Sequence, residues 1–496
     1  MNYLELLRLA APETIVVLTA LAVLAVDLTS MRGLETRIRF IIGGMLTCVG
    51  CVAAIMWMLV MPAHANVLEG MLVVDPLVQL VKIALLALTI FTVLISVEAN
   101  FTTHVGEYLA LILLATVGMM FLVSAEDILM IFVALELVSL SLYILTAFNK
   151  HDIKSAEAAL KYFLFGGMSA AFMLFGLSLI YGLSGSTNLH QIAEALKGKG
   201  LDPLLVVALV MTVIGFGFKV AAVPFHLWAP DAYQGAPTPS AAFIASGSKV
   251  ASFFIFAKVM MFGFKGDVVE GSAAYQAYAP GWVPVIAVVA GLSMILGNLV
   301  AIAQTNVKRL LAYSAIAHSG YMLLALLSHK EQAVASLLYY AITYGLTTIG
   351  AFGVVTVVEQ ATGDSKLTDF AGLSRRSPVV SLCMMIFMLS LAGIPPLAGF
   401  FGKFYVFADV IKHGPDNLGL LWLVILAIAM SAVSLYYYLQ VLKQIYVVES
   451  PTDAPALRAS PILQVVLGIL ALLVVLLGAM PNLILERLLA AIHSVG

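Results

Sequence analysis

The sequence contains few charged residues. Of its 496 residues only 10% are Asp, Glu, Lys or Arg, whereas about a quarter of the residues in a soluble domain are charged. Apolar residues make up 62% of the chain, and the mean hydropathy is +1.06. So many apolar side chains cannot all be buried in one water-exposed globule, so the surrounding solvent must be lipid. The sequence therefore predicts a membrane protein that crosses the bilayer many times.

The chain also lacks the signals of nucleic-acid, nucleotide and redox-centre binding. Its net charge is −2 and no basic run is longer than a dipeptide, so we expect no nucleic-acid partner. Neither a phosphate-binding G-x-x-x-x-G-K-[ST] loop nor a G-x-G-x-x-G turn is present. The three cysteines include Cys48 and Cys51, which lie in an apolar segment and are interpreted as packing residues. We therefore expect no cofactor and no metal on this chain.

Long apolar segments occupy most of the sequence. About 20 residues at 1.5 Å each cross a hydrocarbon core of about 30 Å. The runs are continuous rather than alternating, which favours helices over barrel strands. We predict an all-α polytopic membrane protein with about 14 transmembrane helices. The predicted segments are 12–28, 39–60, 75–96, 108–124, 127–147, 158–182, 203–223, 240–262, 282–301, 311–327, 333–358, 379–411, 418–446 and 461–480.

The basic residues between these segments predict the orientation, because loops on the cytoplasmic side carry more Lys and Arg. With the N-terminus outside, twelve basic residues face the cytoplasm: Arg32, Arg37, Arg39, Lys150, Lys154, Lys308, Arg309, Lys366, Arg375, Arg376, Lys443 and Arg458. Seven face the other side: Arg8, Lys197, Lys199, Lys265, Lys330, Lys412 and Arg487. We therefore expect both termini on the outer side.

Six lysines remain outside this count and fall within the apolar segments, together with a carboxylate in the middle of one segment. A charge at the bilayer centre costs at least about 2.5–3.5 kcal/mol, so such residues usually face the bundle interior and serve a function. Glu136 lies near the middle of LMIFVALELVSLSLYIL. Burial raises the pKa of a carboxyl group, and a nearby ammonium lowers it. Such a group can gain or lose a proton when the charge of its partner changes. The alternative interpretation is a static ion pair between helices.

Two predicted helix breaks each carry a lysine. Lys219 precedes Pro224 in the seventh segment, and Lys403 follows Pro395 and Pro396 in the twelfth. Proline removes a backbone donor, and irregular backbone at this depth survives only beside protein or internal water. The two breaks lie five segments apart. If the chain repeats a unit with an odd number of segments, the second unit must lie upside down in the membrane relative to the first. The spacing predicts an inverted repeat with an ion path near the repeat interface.

The remaining buried lysines are assigned individually. Lys249 lies well inside the eighth segment, between the two breaks, and is a candidate relay. Lys258 lies half a turn out of phase with Lys249 and is interpreted as an interface or snorkelling residue. Lys82 is near the start of the third segment, where a structural role is expected.

Further relay candidates are weaker. His318 lies in the tenth segment, and it serves as either a proton relay or a satisfied core histidine. His226, just beyond the predicted break of the seventh segment, is a possible relay on the same grounds. Lys161 is close to a segment end, from which it could pair with Glu136 on the neighbouring helix.

Four motifs carry a resemblance to a known family. ALELVSLSLYIL, GFKVAAVPFHLWAPDAYQGAPTP, KRLLAYSAIAHSGYML and AGIPPLAGFFGKFYVF are similar to the proton-conducting, Mrp-related antiporter module of respiratory complex I. The resemblance runs from the second segment to the fourteenth. The segment count and a lysine at position 403 are most similar to the N-subunit family. The resemblance implies an N-terminal three-helix part at 1–107, inverted five-helix repeats at 108–262 and 282–447, and a last helix with tail at 448–496.

The resemblance also implies a function. Members of the family translocate protons in the membrane arm of NADH–quinone oxidoreductase, beside neighbouring antiporter-like subunits in the bacterial inner membrane. Flavin, iron–sulfur centres and the quinone reaction, with ubiquinone or menaquinone, would then belong to partner subunits. Glu136 would pair with Lys219, Lys249 would bridge, and Lys403 would face the second half-channel.

Three alternatives stay open at this point. The same module occurs in Mrp-type sodium/proton antiporters and in membrane-bound hydrogenases. A third alternative is an inert scaffold whose buried lysines only hold neighbouring helices together.

Overall fold

The computed structural model describes residues 3–61, 64–197, 202–264, 282–328, 331–413, 420–450, 457 and 459–494. Four of the basic residues counted for orientation, Lys199, Lys265, Lys330 and Arg458, lie outside the described residues. So do the first two residues of the predicted segment 418–446.

The N-terminal part consists of helices and one short hairpin. Its elements are α1 (Tyr3–Leu9), α2 (Ala11–Thr29), α3 (Thr36–Met58), β1 (Ala65–Val67), β2 (Leu72–Val74) and α4 (Pro76–Ser96). The two strands pair antiparallel. The hairpin connects two apolar helices and was not predicted from the sequence.

Within the described residues, eight α-helices belong to the middle of the chain and nine to its C-terminal part. The first group is α5 (Val105–Ser124), α6 (Ile128–Thr146), α7 (Ile153–Ser184), α8 (Leu189–Leu196), α9 (Pro203–Lys219), α10 (Trp228–Gly235), α11 (Thr238–Ala245) and α12 (Gly247–Lys258). The second is α13 (Trp282–Ile302), α14 (Val307–Leu326), α15 (Glu331–Thr362), α16 (Leu373–Arg376), α17 (Pro378–Ala392), α18 (Ala398–His413), α19 (Leu421–Tyr446), α20 (Pro461–Ala479) and α21 (Asn482–His493).

The all-α polytopic prediction is confirmed. Among the described residues, eleven helical stretches are long and apolar enough to cross a membrane. Helices α9 and α17 are apolar but shorter, because each ends at a break in mid-segment. In the described part of the chain each predicted segment overlaps a helix or an interrupted pair of helices, and the number of about 14 membrane helices stays a prediction. The long helix α15 has a wholly buried apolar stretch and packs against α11, α12, α14, α17 and α18, which places it at the centre of the bundle.

Both predicted helix breaks are present. Helix α9 ends at Lys219, and the chain passes a cis Val223–Pro224 bond before α10 begins. Helix α17 ends at Ala392 and is followed by Gly393, whose φ of +87° suits a residue without a side chain, and then by a cis Pro395–Pro396 bond. Helix α9 is therefore shorter than the predicted segment 203–223.

A third break was not predicted. The eighth segment, 240–262, was expected to be one helix, but it divides at Ser246 into α11 and α12. A π-helical turn, Val259–Gly263, then continues α12. Ser246 adopts φ −115° and ψ −85°, outside the helical region, and no proline marks the site in the sequence. The break directly precedes Lys249, so irregular backbone again accompanies a buried lysine.

Matching connections occur in the two halves of the chain. Asp127, at the start of α6, forms an isolated antiparallel bridge with Asn188, at the start of α8. Asn306, at the start of α14, forms the same bridge with Lys366. Asp127 and Asn306 each cap their helix by accepting a backbone N–H hydrogen bond. This likeness supports the predicted repeat boundaries, which stay a prediction.

Candidate proton-translocation site

The first charged pair of the site joins helices α6 and α9. Lys219 Nζ lies 4.0 Å from Glu136 Oε1 and donates a hydrogen bond to the hydroxyl of Ser139. Lys219 is the last residue of α9, so its position is fixed by the helix break. The predicted pairing of Glu136 with the lysine of the broken helix is present in the geometry.

A hydrogen-bonded connection leads from this break to Lys249. The hydroxyl of Ser319 on α14 donates to the carbonyl of Val220, 2.6 Å away. Lys249 Nζ on α12 donates to Ser319 Oγ at 2.7 Å and to the carbonyl of Ala315 at 2.6 Å. Val220 directly follows Lys219. The hydroxyl of Ser319 therefore contacts both the backbone at the first break and the side chain of Lys249.

Aromatic and imidazole groups continue the row towards Lys403. Lys249 Nζ lies 5.7 Å from the ring centre of Tyr344, which is 4.9 Å from the ring centre of His318. The two ring nitrogens of His318 lie within hydrogen-bonding distance of two phenols, Nδ1 at 2.8 Å from Tyr340 and Nε2 at 3.1 Å from Tyr438. His318 is thus a fully partnered buried imidazole, and it lies between the two lysines.

Lys403 binds backbone groups that the second break leaves free. Its Nζ donates to the carbonyls of Leu391 and Ala392, at 3.0 and 3.1 Å, and to Ser431 Oγ at 2.9 Å. Carbonyls in the last turn of a helix have no partner within the helix, so they accept this ammonium. Its Nζ also lies 5.1 Å from the ring centre of Tyr321.

The two lysines at the breaks are not placed alike. Lys219 ends the half-helix before its break, whereas Lys403 lies in the half-helix after its break. When the two cis prolyl bonds are aligned, Asp231 on α10 occupies the position that matches Lys403. The expectation of a repeated lysine arrangement is therefore correct for the breaks and wrong for the side chains.

The row, defined as Glu136, Lys219, Lys249, His318 and Lys403, carries an unequal set of charges. Within the described part of the chain, no carboxylate oxygen lies within 4.0 Å of Lys249 or Lys403, whereas Glu136 accompanies Lys219. Ammonium groups in a low-dielectric interior repel one another strongly, and one carboxylate cannot neutralise three. The protonation of each lysine therefore depends on that of its neighbours.

Two of the weaker relay candidates lie elsewhere. Lys161 does not pair with Glu136, which corrects the expectation from the sequence. Its Nζ lies 2.7 Å from Glu157 and 2.8 Å from Asp231, which also binds Arg309. The reason is that α10 returns towards α7 after the break and brings Asp231 to Lys161. His226 is buried in the break segment, and its Nδ1 has no hydrogen-bond partner among the described residues.

Three further buried lysines form ion pairs outside the row. Lys82 lies 2.6 Å from Glu13, Lys258 lies 3.0 Å from Glu126, and Lys308 lies 2.9 Å from Glu359. The carboxylates were missed because each lies near the end of an apolar segment, where a charge is ordinarily solvated. For Glu13 and Glu126 the signal in the sequence was a lysine inside an apolar segment, Lys82 or Lys258, without an assigned partner. Lys308 lies between two predicted segments, so it gave no such signal for Glu359.

Glu126 lies between α5 and α6, outside the membrane-spanning helices. Burial raises the pKa of this carboxyl group, but a hydrogen bond from His190 and the ammonium of Lys258 outweigh burial and hold the pKa at about 2. Lys258 points to Glu126 and not to the row. The ion pair is an anchor for the end of α12.

The described residues contain no group of three His, Cys, Asp or Glu side chains placed to hold a metal ion. An all-helical membrane bundle with interrupted helices and a buried row of ionisable groups defines a class of membrane protein in which charge moves through the protein interior. The chain belongs to the NADH:quinone oxidoreductase/Mrp antiporter transmembrane family, whose family model matches residues 125–431.

Individual relatives agree with this assignment. The chain is 52% identical to NADH-quinone oxidoreductase subunit N 2 of Acidobacterium capsulatum, over 98% of this chain and 99% of the relative. A chain of respiratory complex I from Thermus thermophilus, solved with bound aureothin, is 33% identical with a TM-score of 0.78, over 96% of this chain and 99% of that one. A chain of the Mrp complex from Dietzia shares the fold, with a TM-score of 0.83 at 20% identity over 98% and 97% of the two chains.

Proposed function

We propose that this chain is a membrane-arm subunit of a proton-translocating NADH–quinone oxidoreductase and that the row carries protons through it. The single observation that carries the proposal is the continuity of the row. Ser319 bonds both Lys249 and the carbonyl of Val220, the residue next to Lys219. Ring contacts then lead from Lys249 through Tyr344, His318 and Tyr321 to Lys403. An inert scaffold needs no such continuity, because isolated ion pairs would hold the helices equally well. The full-length relative named for this oxidoreductase supports the assignment.

Charge coupling supplies the mechanism. Energy released by quinone reduction in a partner subunit shifts Glu136 towards or away from Lys219. When Lys219 loses its carboxylate partner, its ammonium becomes less stable and gives its proton to the row. Lys249 and His318 pass a proton towards Lys403, from which it leaves on the outer side. Release works against about 2.3 kcal/mol per charge for each 100 mV of membrane potential.

A neighbouring membrane subunit is the partner that the surface of α6 favours. The side chain of Glu136 is 28% exposed although it lies in mid-segment. It interrupts an apolar stripe that includes Val133 and Leu140, both more than half exposed. A carboxylate facing lipid at this depth is unfavourable, so this face packs against another protein. Antiporter-like subunits of the same family are the proposed neighbours.

The proposed location is the bacterial inner membrane, with both termini on the outer side. The face that carries Arg37, Lys154 and Lys308 then lies in the cytoplasm, where the excess of basic residues belongs. Flavin, iron–sulfur centres and the quinone, ubiquinone or menaquinone, reside in partner subunits. This chain itself contributes the buried row.

Purification of the chromosomally tagged chain tests the proposal. We expect NADH–quinone reductase activity to elute with the tag in mild detergent. Inside-out vesicles should take up protons on addition of NADH, without a requirement for sodium, and vesicles from a strain that lacks the chain should not. Sodium/proton exchange without NADH, and without reductase activity in the eluate, would show an Mrp-type antiporter instead.

A further inference from the structure

A polar cavity opens on the face of the molecule that carries Arg37 and Lys154. Its volume is about 870 Å³, and it lies between the N-terminal helices and the two halves of the bundle. Its wall includes the start of α3, the end of α4, the connection between α10 and α11, the start of α14 and the end of α15. Both acidic and basic side chains line it. Such a cavity admits water to the ends of these helices.

An ion pair closes the inner end of this cavity. Lys308 Nζ lies 2.9 Å from Glu359 Oε1 and 3.3 Å from both the carbonyl of Ala236 and the hydroxyl of Thr238. Thr238 in turn donates to the second oxygen of Glu359. The side chain of Glu359 is 32% exposed, whereas that of Lys308 is only 6% exposed. The carboxylate therefore faces the cavity, and the ammonium lies behind it.

The groups behind the ion pair lead towards the row. Lys308 precedes Ala315, the acceptor of Lys249, by seven residues on one face of α14, which is about 10 Å along the helix axis. Thr238 precedes Lys249 by eleven residues, on α11 and α12, which the break at Ser246 separates. The distance along α14 is short enough for a few bridging groups to span.

Three buried hydroxyl groups lie on helices that also line the cavity, Tyr233 on α10, Ser240 on α11 and Thr348 on α15. Tyr233 lies with its ring centre 6.1 Å from that of Phe352, one turn of α15 from the cavity residue Thr356. Ser240 faces Tyr108 and Thr348 faces Tyr344, which contacts Lys249. Within the described residues, none of the hydroxyls of Tyr233, Ser240 and Thr348 completes a hydrogen bond of normal geometry. Buried hydroxyls are ordinarily satisfied, so each of these groups has the capacity to bind a water molecule.

We propose that Glu359 takes up protons from the cavity and delivers them to Lys249, and that Lys308 is the gate of this path. The inference rests on the proposed function, since it assigns an entrance to the same row. It also assigns Lys249 as the entry point of cytoplasmic protons, from which Lys219 regains the proton that it gives to the row.

The proton balance of the step is simple. The carboxylate of Glu359 binds one proton from the cavity, which dissolves its ion pair with Lys308. The proton then passes along water and the hydroxyls of Ser240 and Thr348 to a neutral Lys249 amine, which becomes an ammonium. Glu359 is ionised again and re-forms the pair with Lys308. The re-formed ammonium–carboxylate pair opposes the return of the proton.

The first test uses Glu359→Gln in inside-out vesicles, with Glu449→Gln as the matched control. Glu449 is an exposed carboxylate after α19, outside the cavity. With assembly verified on a native gel, we expect Glu359→Gln to lower NADH-driven turnover and proton uptake together by about fivefold or more. The control should keep the wild-type rates. Wild-type rates in Glu359→Gln would overturn the inference.

Failure of this inference is distinguishable from failure of the proposed function. If Lys249→Met loses turnover and uptake while Glu359→Gln keeps both, the entrance lies elsewhere and the row stands. If both variants keep wild-type rates, the row and its entrance are both wrong.

The second test measures access of water to the path. Ser240→Cys is introduced where Cys48, Cys51 and Cys383 are alanine, and a water-soluble thiol reagent is added to inside-out vesicles. We expect labelling of this cysteine, read by mass spectrometry of the chain, to be about tenfold faster with Lys308→Met than with Lys308 in place. Equal rates in the two backgrounds would exclude Lys308 as the gate. No labelling in either would exclude a hydrated path.

Discussion

The ion pair between Glu13 and Lys82 makes a sharp prediction about stability. The pair joins α2 to α4 at 2.6 Å, and the two side chains are 1% and 4% exposed. Replacing Glu13 by Gln removes the negative charge with almost no change of shape. The ammonium of Lys82 then remains in the bundle without its counter-ion, so we expect the free energy of unfolding to fall.

The magnitude follows from two estimates. Charges about 4 Å apart attract by about 4 kcal/mol at an effective dielectric constant of about 20. A lysine can instead lose its proton, which costs an ordinary lysine about 4.6 kcal/mol at pH 7. The second route sets an upper limit. We therefore expect Glu13→Gln to lower the free energy of unfolding by about 3–4.5 kcal/mol, within the range of other broken buried pairs.

A double-mutant cycle measures this effect. The free energy of unfolding is determined in mild detergent by denaturant titration for the wild type, Glu13→Gln, Lys82→Met and the double variant. We expect the double variant to lie within about 1.5 kcal/mol of the wild type, because it leaves no buried charge unpaired. Single variants that unfold like the wild type, or a double variant as unstable as the sum of both, would refute the reasoning.

Two more predictions concern positions outside the row. The pKa of Glu126 is depressed to about 2, so its ion pair stabilises the fold at neutral pH and that stability is lost as pH falls from about 4.5 to 2. The unfolding free-energy difference between wild type and Glu126→Gln should then be constant above pH 5.5 and shrink by about 3 kcal/mol on acidification; a difference independent of pH contradicts this. At Gly478 an added Cβ would meet the carbonyl of Pro396, whereas at Gly468 in the same helix it would meet no atom within 4 Å. Gly478→Ala should therefore prevent assembly on a native gel and Gly468→Ala should not, and equal assembly would show that the break moves freely against α20.

Composition and local pattern were sufficient for much of the fold. Apolar length identified the membrane helices, and the prolines at 224, 395 and 396 identified two breaks because proline cannot continue the backbone ladder. The break at Ser246 has no such marker. It arises from the packing of α11 and α12 against α15, which the sequence does not display.

The site was predictable in its members and not in its contacts. Buried lysines are conspicuous in apolar segments, so Lys219, Lys249 and Lys403 were identified. Their partners depend on how broken helices return through the bundle. Lys161 therefore pairs with Asp231 and not with Glu136. Lys403 donates to backbone carbonyls, and no sequence pattern marks these acceptors.

The most direct test of the row compares two lysines of one helix. Lys249 and Lys258 are both buried on α12, but Lys249 belongs to the row and Lys258 to the ion pair with Glu126. NADH-driven quinone reduction and proton uptake are recorded in vesicles that carry Lys249→Met or Lys258→Met in the assembled complex. We predict that both rates fall together in Lys249→Met and stay at the wild-type level in Lys258→Met. Wild-type rates in Lys249→Met would contradict the account.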